Sequence, residues 1–353
     1  MALQHVPVLL IAYRRPDLTA RVLARVAAAR PQRLYVALDG PASPAVAEDC
    51  RAVRALVTQL DWPDCEVQLN VSKENLGCAE RVRTALDWVF AHEEQALIVE
   101  DDTLPGVGWF PWAERMLDRY KDDPSVGMVS ARNPLIRWPA TGSGHLKSRV
   151  SLIWGWGTWA DRWQAHRNTH GSGRGPDPSA VERRWADVPE IATFRAFLAA
   201  TDAGQRLDTW DVAWAVGLEA AHLSNIVPAS NWVENLGFDA RGTHLTAVDD
   251  VRGGLPSLAP NAPDELQDAG EFDVLCIMNE LMCNGALHAP RRWKMLARNA
   301  ARVPRPGADA AWAALLLPFT QPERTIRLVD HLLAHWVGPL PEPLLELDQT
   351  LRP

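Results

Sequence analysis

Three consecutive carboxylates, Glu100, Asp101 and Asp102, directly follow the apolar run of residues 96–99. Such a run predicts a buried strand, so the acids are expected at its terminus, where they repel one another and lose hydration. A cluster of this kind needs a counter-charge, and Mg²⁺ or Mn²⁺ is the natural one because these ions prefer carboxylate and phosphate oxygens. The sequence therefore predicts a divalent-cation site, and the alternative is a solvated acidic turn.

Two further acids, Asp208 and Asp211, stand three residues apart in the segment LDTWDVAW. This spacing places both on one face at the start of a predicted helix. Trp210 and Trp214 flank Asp211 and are expected to exclude water from it, which would raise its basicity. The alternative is structural: Asp208 caps the helix and Asp211 is solvated in the first turn.

Tryptophan is the unusual entry in the composition, with 16 Trp against three Tyr and seven Phe. Several of these Trp crowd into the segment SLIWGWGTWADRW at residues 151–163, together with glycines that let a ligand approach the backbone. Indole rings are large, flat and apolar, and they stack well on the C–H faces of sugars. Trp154, Trp156 and Trp159 are therefore predicted to line a sugar-binding site, and the alternative is a hydrophobic plug under a loop.

The elements that must position these residues alternate along the first third of the chain. Strands are predicted at 6–13, 33–40, 65–71, 96–102 and 126–130, and helices at 16–26, 44–60, 76–92 and 109–120. This alternation predicts an α/β fold with a mostly parallel sheet and helices on both faces. Since ligands of open parallel sheets bind beyond the carboxyl ends of the strands, the residues that follow the strands are expected to meet at one edge.

The later part of the chain is more irregular. Gly, Ser, His and Pro thicken between residues 139 and 178, and helical patterns return at 180–200 and 208–222. Residues 223–246 favour strand and loop, and residues 250–268 are polar and Pro-rich. The last ~90 residues are predicted to form a helical C-terminal appendage.

Four short segments within residues 6–131 carry a family resemblance: IAYRRPD in the first strand and turn, Asp39-Gly40 after the second strand, ENLGCAERV before the third helix, and VEDD at 99–102. In this order and spacing they resemble the motifs of glycosyltransferases of the GT-A fold, close to the bacterial family 2-type enzymes. VEDD matches the Asp-x-Asp signature of that family, with Glu100 in place of the first Asp. The resemblance implies a nucleotide-sugar-binding half at 1–135, an acceptor-binding and catalytic half of the same domain at 136–250, and a helical C-terminal region at 265–353.

The resemblance also implies a role for each matching residue. Asp102 and Glu100 would hold Mn²⁺ or Mg²⁺ together with His244. The segment that contains His244 is similar to the NIGF…ATHT segment of these enzymes. The alternative for His244 is an ordinary surface histidine. Asp211, with Asp208 as a second candidate, would act as the general base of an inverting transfer. The donor nucleotide would be bound by Tyr13, Arg14, Asp39, Asn75, Arg81 and Asp101.

Charge, cysteine usage and missing motifs disfavour several other classes. The formal net charge of −8 disfavours nucleic acid as a partner, and no apolar run approaches the ~20 residues of a membrane span. Five cysteines without a CxxC pair indicate neither a disulfide framework nor a zinc site, which predicts a cytoplasmic location. The phosphate-binding patterns GxxxxGK[ST] and GxGxxG are absent, which disfavours kinases and dehydrogenases.

The sequence thus predicts a metal-dependent glycosyltransferase that moves a sugar from a nucleotide-diphosphate donor to a hydroxyl of a glycan, a glycolipid or a protein. Two alternatives stay open: a non-catalytic carbohydrate- or nucleotide-binding protein on the same fold, and a sugar nucleotidyltransferase, which would release pyrophosphate. The C-terminal helices are candidates for a homodimer contact or for peripheral contact with a membrane surface.

Overall fold

The computed structural model describes residues 4–139, 142–171, 175–204, 210–238, 241, 255–258 and 264–285, and the single positions 327, 330, 331 and 334. The strands of this part of the chain are β1 (Val8–Ala12), β2 (Arg33–Leu38), β3 (Glu66–Val71), β4 (Gln95–Glu100), β5 (Thr103–Pro105), β6 (Val126–Ser130), β7 (His145–Ser148), β8 (Trp156–Trp159), β9 (Ser224–Pro228), β10 (Val233–Asn235) and β11 (Leu266–Gln267). The helices are α1 (Pro16–Ala29), α2 (Ala47–Thr58), α3 (Cys78–Phe90), α4 (Trp109–Tyr120), α5 (Ala160–Gly171), α6 (Pro178–Arg184), α7 (Pro189–Gly204), α8 (Asp211–Ala220) and α9 (Phe272–Gly285), with a short 3₁₀ turn at Pro44–Val46.

The strands form a mixed, mostly parallel sheet of nine in the order β11-β7-β9-β6-β8-β4-β1-β2-β3. The pairs β1–β2, β2–β3, β1–β4, β6–β9 and β7–β11 are parallel, whereas β4–β8, β6–β8 and β7–β9 are antiparallel. The prediction of an α/β fold with a mostly parallel sheet is confirmed. The sequence analysis did not foresee β7 and β8, and β8 enters the sheet between β4 and β6.

The central strand β1 shows why the sheet needs helices on both faces. All five of its residues are buried. Leu10 packs in one core with residues of α1, α2 and α4, whereas Leu9 packs in a second core with residues of α3 and α8. A near-continuous apolar run is the pattern expected of a parallel strand that is covered on both sides.

The ends of helices and strands agree with the predictions where the apolar periodicity is strong. They differ where acidic residues or a proline interrupt the pattern. The predicted helix 109–120 and strand 126–130 have the bounds of α4 and β6. The predicted strand 96–102 ends at Glu100, so Asp101 and Asp102 lie in a turn before β5. The single helix predicted at 180–200 is divided into α6 and α7, and Pro189 begins the second of them, as proline favours a first helical turn.

The C-terminal region is described through α9, which contributes buried side chains to the larger core, in agreement with the helix predicted there. Farther along, the ring nitrogen Nε2 of His331 lies 2.7 Å from the carbonyl oxygen of Arg137, and its ring lies 5.3 Å from that of Trp138. The predicted dimer or membrane contact of the remaining C-terminal helices falls outside the described residues. Among the described helices, none is long and apolar enough to cross a membrane.

Candidate functional site

The carboxyl ends of β1, β2, β3, β4 and β6 lie at one edge of the sheet, because these strands run in the same direction. The turns that follow them contact one another. The backbone N–H of Tyr13, after β1, donates to Asp101 Oδ2, after β4, at 3.2 Å. The N–H of Ala42, after β2, donates to the Tyr13 hydroxyl at 3.1 Å. Residues separated by up to 88 positions in the chain therefore meet at this edge, as the sequence predicts.

Arg15 is the counter-charge of the acidic cluster. Its Nη2 atom contacts Oδ1 of Asp101 and lies 2.9 Å from Oδ2 of Asp102, so one guanidinium nitrogen bridges both carboxylates. The sequence predicts positive charge beside these carboxylates, and a metal ion was expected to supply it. The structure provides that charge from the turn between β1 and α1.

Glu100 has a strongly raised pKa. Burial, followed by the negative charges of Asp102, Asp101 and Asp211, raises the pKa of Glu100 to about 8. Burial also raises the pKa of Asp101, although the Arg15 guanidinium opposes the shift. The Glu100 carboxyl is therefore largely protonated at neutral pH, and in that form it can donate as well as accept a hydrogen bond.

Asp211 is the first residue of α8 and is half-buried. Its charge contributes to the raised pKa of Glu100, so the two carboxyl groups interact electrostatically. Trp210, immediately before it, is buried and stacks on Trp156 with ring centroids 5.4 Å apart, and Trp214 is fully buried. The predicted Trp flanks of Asp211 are thus present. The second candidate base, Asp208, lies outside the described residues.

Asp39 organises the loop before α3. Its Oδ1 accepts the backbone N–H groups of Gly40 and Leu76, both at 2.9 Å. Its Oδ2 accepts the N–H of Gly77 at 3.2 Å and the side-chain amide of Asn75 at 3.1 Å. Both oxygens are therefore engaged inside the protein, and the structure places Asp39 as the residue that shapes this loop.

Three predicted nucleotide-binding residues take different positions. Asn75 is exposed at the loop surface and also donates to the carbonyl of Gly40 at 2.9 Å. Arg14 is half-buried, with its guanidinium carbon 5.6 Å from the centroid of the Tyr13 ring. Arg81 is only 4% exposed and donates to the backbone and side-chain oxygens of Asn70. Burial corrects the expectation that the Arg81 guanidinium reaches a ligand in this structure.

The segment at residues 234–238 closes the site from the other half of the chain. β10 pairs with β5 antiparallel, and the N–H of Leu236 donates to the backbone oxygen of Asp102 at 2.7 Å. A Cβ atom on Gly237 would lie 2.1 Å from Asp102 Oδ2, so only glycine fits against that carboxylate. The predicted proximity of this segment to the acids is thus present as far as residue 238. His244 lies outside the described residues.

The predicted tryptophan wall needs correction. Trp156 is 1% exposed and packs against Trp210 and Trp214, so its ring has no face for a sugar. Trp159 is 5% exposed and pairs with Gln95 at the start of β4, which is the edge opposite the acids. The physical reason is that β8 is antiparallel to β4, so its residues run away from the site. These two residues fit the alternative of a hydrophobic plug.

Trp154 precedes β8 and therefore lies at the same edge as the acids. Its ring is capped by the Arg132 guanidinium, 3.8 Å from the centroid, and meets the ring of Phe238 edge-on at 5.7 Å. Arg132 also forms an ion pair with Glu280 of α9. The acceptor role of Trp154 stays a prediction, and Arg132 and Glu280 are neighbours that the sequence did not indicate.

Among the described residues, the carboxylates of the acidic turn are engaged by an arginine. Asp101 and Asp102 already share the Arg15 guanidinium. In the part of the chain that the structure describes, no group of three or more His, Cys, Asp or Glu side chains is arranged to hold a metal ion. The expected ligand set of Asp102, Glu100 and His244 stays a prediction.

Arg15 is the residue of this site that the sequence analysis did not single out. The segment IAYRRPD contains two consecutive arginines, and only Arg14 was assigned a role. The available signal was Pro16, because proline at the first helical position fixes where α1 begins and thereby directs the preceding side chain.

Comparisons with known proteins add little to this geometry. No family model and no curated protein sequence matches the chain. HddC from Yersinia pseudotuberculosis is similar over 44% of this chain and 77% of its own, with 10% identity and a TM-score of 0.28. A UDP-glucose pyrophosphorylase complexed with UDP-glucose is similar over 63% of this chain and 90% of its own, with 6% identity and a TM-score of 0.33. Likenesses this low leave the function to be argued from the site.

Proposed function

We propose that this protein transfers a sugar from a nucleotide-diphosphate donor to a hydroxyl group of an acceptor. The observation that supports it best is the position of Asp211 at the start of α8, where the adjacent Trp210 stacks on Trp156 of β8 and the charge of Asp211 acts on Glu100 at the end of β4. An acid from the second half of the chain thereby faces the strand edge where nucleotides bind in open α/β sheets.

Asp211 is the general base of the proposed reaction. Its carboxylate accepts the proton of the acceptor hydroxyl while the hydroxyl oxygen bonds to the anomeric carbon of the sugar. The bond from that carbon to the donor phosphate breaks, and the nucleoside diphosphate leaves with the electron pair. Direct displacement inverts the configuration at the anomeric carbon. The predicted Mn²⁺ or Mg²⁺ stays a prediction, and no step here depends on it.

The other residues of the edge position the two substrates. Asp39 fixes residues 75–77, and Tyr13 joins the turns after β1, β2 and β4. A preorganised cleft of this kind lowers the entropic cost of bringing donor and acceptor together. Trp154 lies at the same edge, where one part of its ring meets Phe238.

The test is a product assay with UDP-, GDP-, CDP- and dTDP-sugars and a mixture of sugar acceptors. Sugar transfer releases nucleoside diphosphate from these mixtures. The nucleotidyltransferase alternative is tested in parallel with nucleoside triphosphates and sugar 1-phosphates, from which it would release pyrophosphate. Donor binding without product in either assay would support the alternative of a non-catalytic binding protein.

Asp211→Asn tests the base in the same assay. We expect kcat to fall by roughly 10²- to 10⁴-fold while the Kd of the donor is unchanged, because only proton removal is lost. Asp161→Asn is the matched control, since Asp161 also lies in the first turn of a helix and its side chain is exposed. Equal kcat for wild type and Asp211→Asn would eliminate Asp211 as the base.

A further inference from the structure

The backbone of Arg15 is fixed where β1 passes into α1. Its carbonyl oxygen accepts the N–H of Thr19 at 2.9 Å and the hydroxyl of the same residue at 2.8 Å, and Thr19 is fully buried. Pro16 begins α1 directly after it. The first helical turn therefore determines the direction in which the Arg15 side chain leaves the backbone.

The Arg15 guanidinium forms its ion pairs through one of its three nitrogen atoms. Nη2 contacts both Asp101 and Asp102, and the side chain keeps 15% of its surface exposed. Among the described residues, no hydrogen bond reaches Nε or Nη1 of Arg15. Three N–H groups of the fork are therefore available on the side away from the two carboxylates.

The chain itself provides positive charge at this turn. Arg15 forms ion pairs with both Asp101 and Asp102. One reason for expecting a metal ion was an uncompensated acidic cluster, and the ion pairs of Arg15 weaken that reason. A divalent ion on the same oxygen atoms would have to displace the guanidinium.

We propose that Arg15 is the resident counter-cation of this site and binds the diphosphate of the donor, so that the donor binds without a divalent metal ion. This inference rests on the proposed function and deepens it. The guanidinium fork matches phosphate oxygens in a bidentate arrangement, and the two aspartates hold the fork in one orientation. Arg15 is thus a binding residue, and Asp101 and Asp102 are positioning residues that act through it.

The experiment is calorimetric titration of the full chain with UDP, GDP, CDP and dTDP, each with Mn²⁺, with Mg²⁺ and with EDTA. For the nucleotide that binds, we expect the Kd in EDTA to lie within about threefold of the Kd with either metal. Arg15→Gln is expected to weaken binding by about tenfold or more under all three conditions, because charge-assisted hydrogen bonds are lost. Arg21→Gln is the matched control, since Arg21 is exposed on the same helix.

Arg15→Gln leaves Asp101 buried without its partner, so loss of folding must be separated from loss of binding. The double variant Arg15→Gln/Asp101→Asn removes that buried charge. We expect it to unfold at a higher temperature than Arg15→Gln and to bind nucleotide as weakly. Recovery of wild-type affinity in the double variant would overturn the inference, because Arg15 would then have only a structural role.

Two further outcomes separate this inference from the proposed function. Nucleotide binding that requires Mn²⁺ or Mg²⁺ and persists in Arg15→Gln would overturn the role of Arg15 and leave the proposed function standing. Failure of all four nucleotides to bind wild type under any of the three conditions would overturn both.

Discussion

At the scale of single residues, Asp39 illustrates how one carboxylate organises a binding loop. It accepts four hydrogen bonds, two on each oxygen, from Gly40 and from residues 75–77. An asparagine in its place has one acceptor oxygen and presents an NH₂ group to two donors. The loop before α3 would then lose the partners that define its course.

Asp39→Asn is therefore expected to destabilise the protein by about 1–3 kcal/mol, the range for leaving buried polar groups unsatisfied. The measurement is the free energy of unfolding from urea denaturation. Asp61→Asn, at an exposed position, is the control and is expected to change it by less than about 0.5 kcal/mol. Equal stabilities of Asp39→Asn and wild type would mean that the loop does not depend on this carboxylate.

Gly237 is a second residue whose type is dictated by its surroundings. The Cβ atom of an alanine would meet Asp102 Oδ2 at 2.1 Å and Cγ at 2.9 Å, so the carboxylate or the segment must move. Movement of Asp102 would break its 2.9 Å contact with Arg15. The substitution thus acts on the site through a single steric contact.

Gly237→Ala is expected to weaken donor binding by about tenfold and to lower the free energy of unfolding by about 1–3 kcal/mol, as overpacking does. Donor affinity is measured by calorimetry and stability by urea denaturation. Gly106→Ala is the control, because its added Cβ would have neighbours no closer than 3.5 Å. Wild-type affinity in Gly237→Ala would show that Asp102 can shift without consequence for binding.

At the scale of elements, β8 holds α8 in place through tryptophan packing. Trp156 stacks on Trp210 and contacts Trp214, with ring centroids 5.4 and 5.6 Å apart. Because Asp211 begins α8, this packing sets the position of the proposed base relative to the sheet. Trp156 thus positions Asp211 through packing and does not contact a ligand.

Trp156→Leu is expected to lower the free energy of unfolding by about 3 kcal/mol or more, through lost packing and a cavity. We also expect kcat to fall and the acceptor KM to change little. The variant disturbs the packing that positions Asp211 but removes no contact with the acceptor. Denaturation and steady-state kinetics are measured on the same preparation. A large rise in acceptor KM at unchanged kcat would restore the original interpretation of Trp156 as an acceptor residue.

The same elements show what the sequence could predict. Apolar runs and four-residue spacings predicted α4 and β6 to the residue, since their patterns are set by local periodicity. The segment of β8, WGTW, places two small residues between two tryptophans, and nothing in it indicates that it enters the sheet antiparallel between β4 and β6. Pairing direction is a long-range property, and it decides that Trp154 lies at the site while Trp159 lies at the opposite edge.

The candidate site also has features that the sequence predicts and features that it does not. The convergence of Tyr13, Asp39 and the acids followed from the rule that parallel strands place their carboxyl ends together. The identity of the counter-charge did not follow, because it depends on which of two consecutive arginines the first turn of α1 directs at Asp101. Burial of Arg81 on Asn70 likewise depends on packing between β3 and α3 that the sequence does not display.

At the scale of the whole molecule, ion pairs of two largely buried arginines connect distant segments to the sheet. Arg149 donates to Asp273 of α9 at 3.0 Å and also pairs with Asp187, and Arg132 pairs with Glu280 of α9. Ion pairs in such positions are costly to break singly, since the remaining charge is left without a partner. The described part of the C-terminal region is therefore integral to the same folded body as the site.

The stability of the whole molecule also depends on pH, and His145 is one of the groups that contribute to this dependence. His145 is fully buried, and burial, together with the charge of Arg119, lowers its pKa from 6.5 to about 4. As the pH falls below 6.5, the unfolded chain binds a proton that the folded chain does not, so stability is lost. Glu100 acts in the opposite sense, because its pKa is raised to about 8 and its contribution is lost as the pH rises.

These two groups titrate over overlapping pH ranges, so wild-type stability alone does not separate them, and a matched variant does. His145→Gln keeps a hydrogen-bonding group near the Tyr120 hydroxyl, which lies 2.7 Å from Nε2, and removes the titration. Between pH 8 and pH 5, wild type is expected to lose about 2 kcal/mol of unfolding free energy relative to this variant, since the unfolded imidazole titrates near pH 6.5. His5→Gln, at an exposed position, is expected to show no such difference. Parallel pH profiles for wild type and His145→Gln would mean that the imidazole binds a proton as readily in the folded protein as in the unfolded chain.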